Sequence, residues 1–127
     1  MRILGIDYGR KKIGLAVAFS QIAEPYEVIR YDDLEVLGEK IKEVIKNENI
    51  EEIVLGISEG EMAEETRRFG EILKEKTRLP LSFSDETLST YDAQRFSQEA
   101  GVKREKRKNF EDAYAATVML QEYLASR

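Results

Sequence analysis

Ile3-Leu4-Gly5-Ile6-Asp7-Tyr8-Gly9-Arg10-Lys11-Lys12-Ile13-Gly14-Leu15-Ala16-Val17-Ala18-Phe19 sets the architecture of this chain. Ile3 to Ile6 is a short apolar run that stops at Asp7, the pattern of a buried strand. Tyr8 to Lys12 is a polar connection containing glycine, suited to a hairpin, and Ile13 to Phe19 is a second strand of β-formers and small residues. A third follows from Glu24 to Tyr31, with Pro25 at its start, where a missing N–H does little harm. Three strands so close in sequence most simply form an antiparallel meander.

After Tyr31 the apolar period changes from two to about 3.6. Asp32 or Asp33 can cap a helix that carries Leu34, Leu37, Ile41, Val44 and Ile45 on one stripe. Ile53 to Ile57 is a compact strand. Glu61 to about Lys76 is helical again, with Met62, Phe69, Ile72 and Leu73 inward. Pro80 restarts the chain as a strand, Leu81 to Ser84, and Ser89-Thr90-Tyr91-Asp92 matches a capping box for a helix to about Ala100. Gly101 ends it, a basic loop follows, and Phe110 to Leu124 is a last helix, apolar on most sides and hence largely buried. Strands joined through helices pair in parallel with right-handed crossovers. The expected fold is α/β: a mixed five-stranded sheet, three antiparallel strands and then parallel ones, with helices on both faces.

The 127 residues are expected to form one domain, 1–127. At 42% hydrophobic and 35% charged the chain is globular and not disordered. It has no cysteine and no histidine, which excludes disulfides, thiol nucleophiles, Ser-His-Asp triads and His-ligated metals. Any catalysis rests on carboxylates, Lys, Tyr, hydroxyls or a metal held by oxygen. The N-terminus reads as a strand and not a signal peptide, and no apolar run approaches ~18 residues, so no membrane association and a cytoplasmic location are expected. Net charge is −5, yet Arg10, Lys11 and Lys12 form one basic cluster and Lys103, Arg104, Lys106, Arg107 and Lys108 another. Local basic segments on an acidic protein fit an enzyme that grips phosphate in one place.

Three acids are the candidates for chemistry. Asp7 ends a central apolar strand, where an ionised carboxylate is costly unless paired or metal-bound; the plainer reading is an Asp capping the turn at Gly9. Glu86 lies just past the strand Leu81 to Ser84, where ligands of open α/β sheets collect. Its neighbour Asp85 points differently, and only one need face a site; the plainer reading is a solvated pair. Asp112 lies in the first turn of the last helix, beside Ala113, Ala115 and Ala116, which let that helix approach the sheet. The plainer reading there is helix-dipole stabilisation, a role that Glu111 would fill equally well. Together Asp7, Glu86 and Asp112 would form an all-oxygen site for Mg²⁺ or Mn²⁺. Two such ions ~3.5–4 Å apart can activate water and stabilise the leaving oxygen of an in-line phosphodiester displacement, with no histidine needed. The basic clusters would then hold the nucleic-acid backbone, and Tyr8 and Tyr91 could stack on bases, although packing suits both better.

The segments Gly5 to Ala16, Asp85-Glu86-Thr87-Leu88-Ser89-Thr90, Asp112-Ala113-Tyr114-Ala115-Ala116 and Leu120-Gln121-Glu122-Tyr123-Leu124 resemble the YqgF (RuvX) family, in order and over essentially the whole chain. The resemblance implies a ribonuclease-H-like fold and an activity described for that family as Holliday-junction resolution or processing of the 5′ end of precursor 16S rRNA. It carries the acidic triad onto Asp7, Glu86 and Asp112. Two features depart from the pattern: Thr87 stands where Arg is usual, and Ser58-Glu59-Gly60-Glu61 replaces a Gly-Leu-Pro-like loop. Both weaken phosphate binding. The leading expectation is a metal-dependent nuclease on structured nucleic acid, RNA favoured over DNA, acting as a monomer or homodimer. The alternatives are a resolvase of DNA four-way junctions and a non-catalytic nucleic-acid-binding module. An actin- or sugar-kinase-like ATP-binding protein shares the Asp-x-Gly hairpin but needs two such lobes.

Overall fold

The computed structural model describes residues 1–58, 60–85 and 104–127, with the backbone alone over 104–109. The elements run β1 (Arg2–Asp7), β2 (Lys12–Phe19), β3 (Ile22–Arg30), α1 (Leu34–Glu48), β4 (Glu52–Ile57), α2 (Glu61–Thr77), β5 (Leu81–Asp85) and α3 (Arg104–Ala125). The expected helix from Ser89 to Ala100, with Gly101 after it, lies outside the described residues.

The five strands form one sheet in the order β3-β2-β1-β4-β5. β1–β2 and β2–β3 pair antiparallel, whereas β4 pairs parallel with β1 and with β5. The sheet is therefore mixed, as the alternation of hairpins and helical crossovers implied. β3 is longer than its sequence pattern suggested, so Pro25 falls inside it and not at its start. The strand tolerates this because it is an edge, and the register slips there: Leu15 pairs Glu27 while Ala16 pairs Pro25, leaving Tyr26 as the extra residue of a bulge.

Side chains alternate across the sheet and define two layers. Leu4, Ile6, Ile13, Leu15, Ile53 and Leu55 face α1 and α2, meeting Leu37, Ile41, Phe69 and Leu73 in the larger core. Ile3, Ala16, Ala18 and Val54 face α3, meeting Ala116, Met119 and Leu120. α1 begins at Asp33, whose carboxylate accepts from the Glu35 N–H at 2.7 Å, and ends on Asn49 in the left-handed region. α3 is buried almost all round from Ala113 to Leu120, as its composition demanded.

α3 starts six residues before the expected Phe110. Arg104, Lys106, Arg107 and Lys108 lie in its first turns and not in a loop. Arg, Glu and Lys are strong helix formers, and with no Gly or Pro between Arg104 and Phe110 the helix simply extends through them. A charge run identified as a loop by polarity was a helix by propensity. Asp112 consequently lies in the third turn of α3, beyond the reach of helix-dipole stabilisation.

Candidate active site

β1, β3, β4 and β5 all end at one edge of the sheet, the edge from which β2 departs. Asp7 is the last residue of β1, at the centre of that edge. Alternation puts it on the α3 face with Ile3 and Gly5, and a Cβ added to Gly5 would meet the Leu120 Cβ at 3.0 Å. Its cross-strand neighbours are Gly14 on β2 and Gly56 on β4, and Gly56 in turn pairs with Ser84 on β5. A half-buried carboxylate therefore has no side chain directly beside it on either strand. Glycine at these positions lets another backbone approach the strand closely.

Gly14 also decides where Asp112 sits. A Cβ built on Gly14 would lie 1.9 Å from the Asp112 carbonyl oxygen and 2.7 Å from the Ala113 nitrogen. The α3 backbone thus rests directly on the residue paired with Asp7. That contact brings Asp112 to the same face and the same edge as Asp7, although 105 positions separate them in the chain. Asp112 is half-buried, and its Oδ2 lies 3.0 Å from the Lys12 Nζ.

Of the candidate acids, then, Asp7 and Asp112 are brought together. Glu86 lies outside the described residues, as do Thr87 and Glu59. Asp85 is described: it continues the alternation of Leu81 and Phe83 toward the α2 face, where the Phe83 ring reaches Gly70, and so it turns away from Asp7. Among the described residues no group of three acidic side chains is disposed to hold a metal ion. Asp7 and Asp112 nonetheless supply hard oxygen donors on one face, the donor chemistry that Mg²⁺ or Mn²⁺ requires.

The basic residues divide. Lys12 pairs with Asp112 and Arg10 turns to the opposite face. There the Arg10 Nε and Nη2 donate to the Glu65 carboxylate at 2.9 and 2.7 Å, with Glu61 3.8 Å away. Expected as a phosphate rim, Arg10 and Lys12 are instead held by acids of α2 and α3. Runs of like charge read from sequence carry no information about partners that arrive from elsewhere in the fold. Lys103 lies outside the described residues, and Arg104, Lys106, Arg107 and Lys108 occupy helical positions leading into Asp112. Tyr8 is buried, its ring stacked on Phe69 at 4.9 Å, so it is a core residue and not a base-stacking platform; Tyr91 lies outside the described residues.

The Arg10 hydrogen bond lowers the Glu65 pKa below the ordinary 4.5, and Glu65 raises that of Arg10. A depressed acid pKa means the pair persists above the unfolded-state value and is lost only as pH falls through the folded one. The clasp is intact at neutral pH. A carboxyl NMR titration is expected to place the Glu65 midpoint below 4.5, with a return to the ordinary range in Arg10→Gln protein; an unshifted midpoint in the wild type would show that the clasp does not persist in solution. Above the turn, the Tyr31 hydroxyl donates to the Gly9 carbonyl, and burial first, then hydrogen bonding with Tyr8, keeps that phenol protonated.

Gly14 and Glu65 shape the surroundings of this site although the sequence reading singles out neither as functional. Only Gly14 had a signal, an isolated glycine inside a strand pattern, which marks close backbone approach.

A family model described as "RuvX: Holliday junction resolvase" matches residues 1–126. A relative from Agathobacter rectalis is 38% identical, the match covering 98% of this chain and 94% of the relative. One from Endomicrobium trichonymphae is 40% identical over 97% and 94%. Both carry the name "Putative pre-16S rRNA nuclease". Among solved structures, T. thermophilus RuvC in complex with a Holliday junction substrate superposes with a TM-score of 0.66 at 17% identity, covering 100% of this chain and 95% of RuvC. At that identity the likeness speaks for the fold, which is the ribonuclease-H-like one that the resemblance implied.

Proposed function

The chain belongs to the RuvX family, and from that premise we propose that it is a metal-dependent nuclease, a hydrolase of phosphodiester bonds in structured nucleic acid, with the 5′ end of precursor 16S rRNA as its substrate. The observation that carries this reading is the seating of the α3 backbone on Gly14, the strand partner of Asp7, which gathers two carboxylates from the two ends of the chain at one sheet edge. Asp7, Asp112 and Glu86 are the residues we assign to hold Mg²⁺ or Mn²⁺. For Glu86 the support is its position directly after β5, which ends at that same edge. Such ions, when bound, supply a water activated for attack and stabilise the leaving oxygen.

The chain's own residues fix and tune the ligands. Gly14 lets the α3 backbone seat against the strand beside Asp7, which sets where Asp112 stands. Lys12 orients Asp112 through the 3.0 Å contact of its Nζ with Oδ2, an exposed pair worth about 0–1 kcal/mol by itself, so its role is placement more than stability. The curated relatives are named for RNA processing, which favours RNA as substrate. The RuvC likeness keeps a four-way DNA junction as the second reading.

Purified protein is expected to cleave a labelled precursor 16S rRNA 5′ fragment when Mg²⁺ or Mn²⁺ is supplied and to stop when EDTA is added. Cleavage confined to a DNA four-way junction would assign the resolvase activity instead. Binding of both without cleavage of either would overturn the nuclease reading in favour of a binding module.

A further inference from the structure

Beside the turn that links β1 to β2 lies an open cleft of about 520 Å³ lined by Arg10, Lys11, Arg30, Tyr31 and Asp32. Its walls are fixed by backbone pairing. Lys12 is opposite Arg30 in the β2–β3 ladder, the Tyr31 N–H donates to the Lys11 carbonyl at 3.0 Å, and the Tyr31 hydroxyl ties down Gly9. Three cations line it, and their partners differ. Arg10 is clasped by Glu65, whereas Lys11 and Arg30 have no ion-pair partner among the described residues. Two exposed cations on the lining of one cleft are disposed to take an anion. Asp32, on the same lining, opposes one.

We propose that this cleft is a phosphate-binding subsite of the nuclease, in which Lys11 and Arg30 grip the substrate backbone away from the scissile bond while Glu65 withholds Arg10. This rests on the nuclease reading and deepens it. The cleft adjoins the candidate active site, because Lys12, next to Lys11 in the turn, touches Asp112. β3 lies two strand spacings from β1, roughly 10 Å. Arg suits this place because its planar fork can bind two phosphate oxygens at once. The Glu65 clasp makes affinity adjustable, since freeing Arg10 adds a third cation to a cleft already formed.

The test is anisotropy binding of a fluorescein-labelled precursor 16S rRNA 5′ fragment and a labelled DNA four-way junction, in EDTA to prevent cleavage, across a KCl series. Wild type, the double variant Lys11→Gln/Arg30→Gln, Glu65→Gln and Lys46→Gln are compared, with thermal melts to check folding. Lys46 is exposed in the last turn of α1, at the opposite end of the sheet, and controls for a change in net charge. The double variant is expected to lower the salt slope by about two and to weaken binding about equally on both nucleic acids. Glu65→Gln should bind more tightly with a slope steeper by about one, and Lys46→Gln should match the wild type. A folded double variant with the wild-type slope would overturn the subsite while leaving cleavage, and so the nuclease reading, untouched. Wild type that binds neither nucleic acid would overturn both.

Discussion

Asp7→Asn protein is expected to lose cleavage by about a thousandfold or more while melting close to the wild type. A ligand that positions metal contributes several kcal/mol to the transition state, and each 1.4 kcal/mol is about tenfold in rate. The fold should persist because Asn matches Asp in shape and Asp7 stands at the end of a strand, with a glycine on each neighbouring strand. The core strand residues Leu4 and Ile6 are untouched, so the stability change should stay within about 1 kcal/mol. The informative comparison is cleavage rate against circular-dichroism melting on the same preparations. An inactive variant that melts with the wild type places Asp7 in the chemistry. A variant that is inactive because it is unfolded would make Asp7 a structural residue, and the carboxylate cluster would lose its centre.

Gly14→Ala is expected to damage both fold and activity, although it adds one methyl group to a strand that already contains Ala16 and Ala18. The added carbon would lie 1.9 Å from the Asp112 carbonyl oxygen and 2.1 Å from its carbon, and both are backbone atoms of a helix that cannot rotate aside. α3 must lift from the sheet, pulling Ala116, Met119 and Leu120 from their contacts with Ile3 and Val54. Overpacking of a rigid contact costs about 3 kcal/mol or slightly more, equivalent to a drop of roughly 10 °C or more in melting temperature for a chain of this size. Activity should fall further than stability does, because the displaced segment carries Asp112 away from Asp7. Cleavage measured well below the variant's melting temperature separates the two effects. Wild-type cleavage by folded Gly14→Ala protein would show that the Gly14 contact does not position the site.

The two experiments test different links. Asp7→Asn changes the chemistry and keeps the geometry; Gly14→Ala keeps every carboxylate and moves one. A site built by tertiary approach must fail in both.

Much of this was legible before any coordinates. The apolar runs at Ile3 to Ile6, Ile13 to Phe19 and Ile53 to Ile57 could only be strands of a covered sheet, and the stripe Leu37, Ile41 and Val44 could only be a helix over it. Burial by periodicity is a local property, written within a few residues, and so it is readable locally. The absence of histidine and cysteine is equally independent of fold, and it directed attention to carboxylates. Where reading failed, the deciding partner was distant. Glu65 is 55 residues from Arg10, and Asp112 is 100 residues from Lys12, so nothing near Arg10-Lys11-Lys12 says which cation will be claimed and which left for a ligand. The start of α3 differs for another reason: the polarity of residues 103–108 suggests a loop, whereas Arg, Lys and Glu are strong helix formers.

The sequence by itself therefore determined the layers of this protein and the kind of chemistry it can perform, since hydrophobic period and residue inventory are properties of the chain. Only the tertiary structure decided that Asp112 meets the strand beside Asp7, that Asp85 faces away, and that Lys11 and Arg30 line a cleft while Arg10 and Lys12 are paired. Those outcomes depend on strand register and on one close backbone contact at Gly14, and both exist only once segments far apart in the chain have packed against each other.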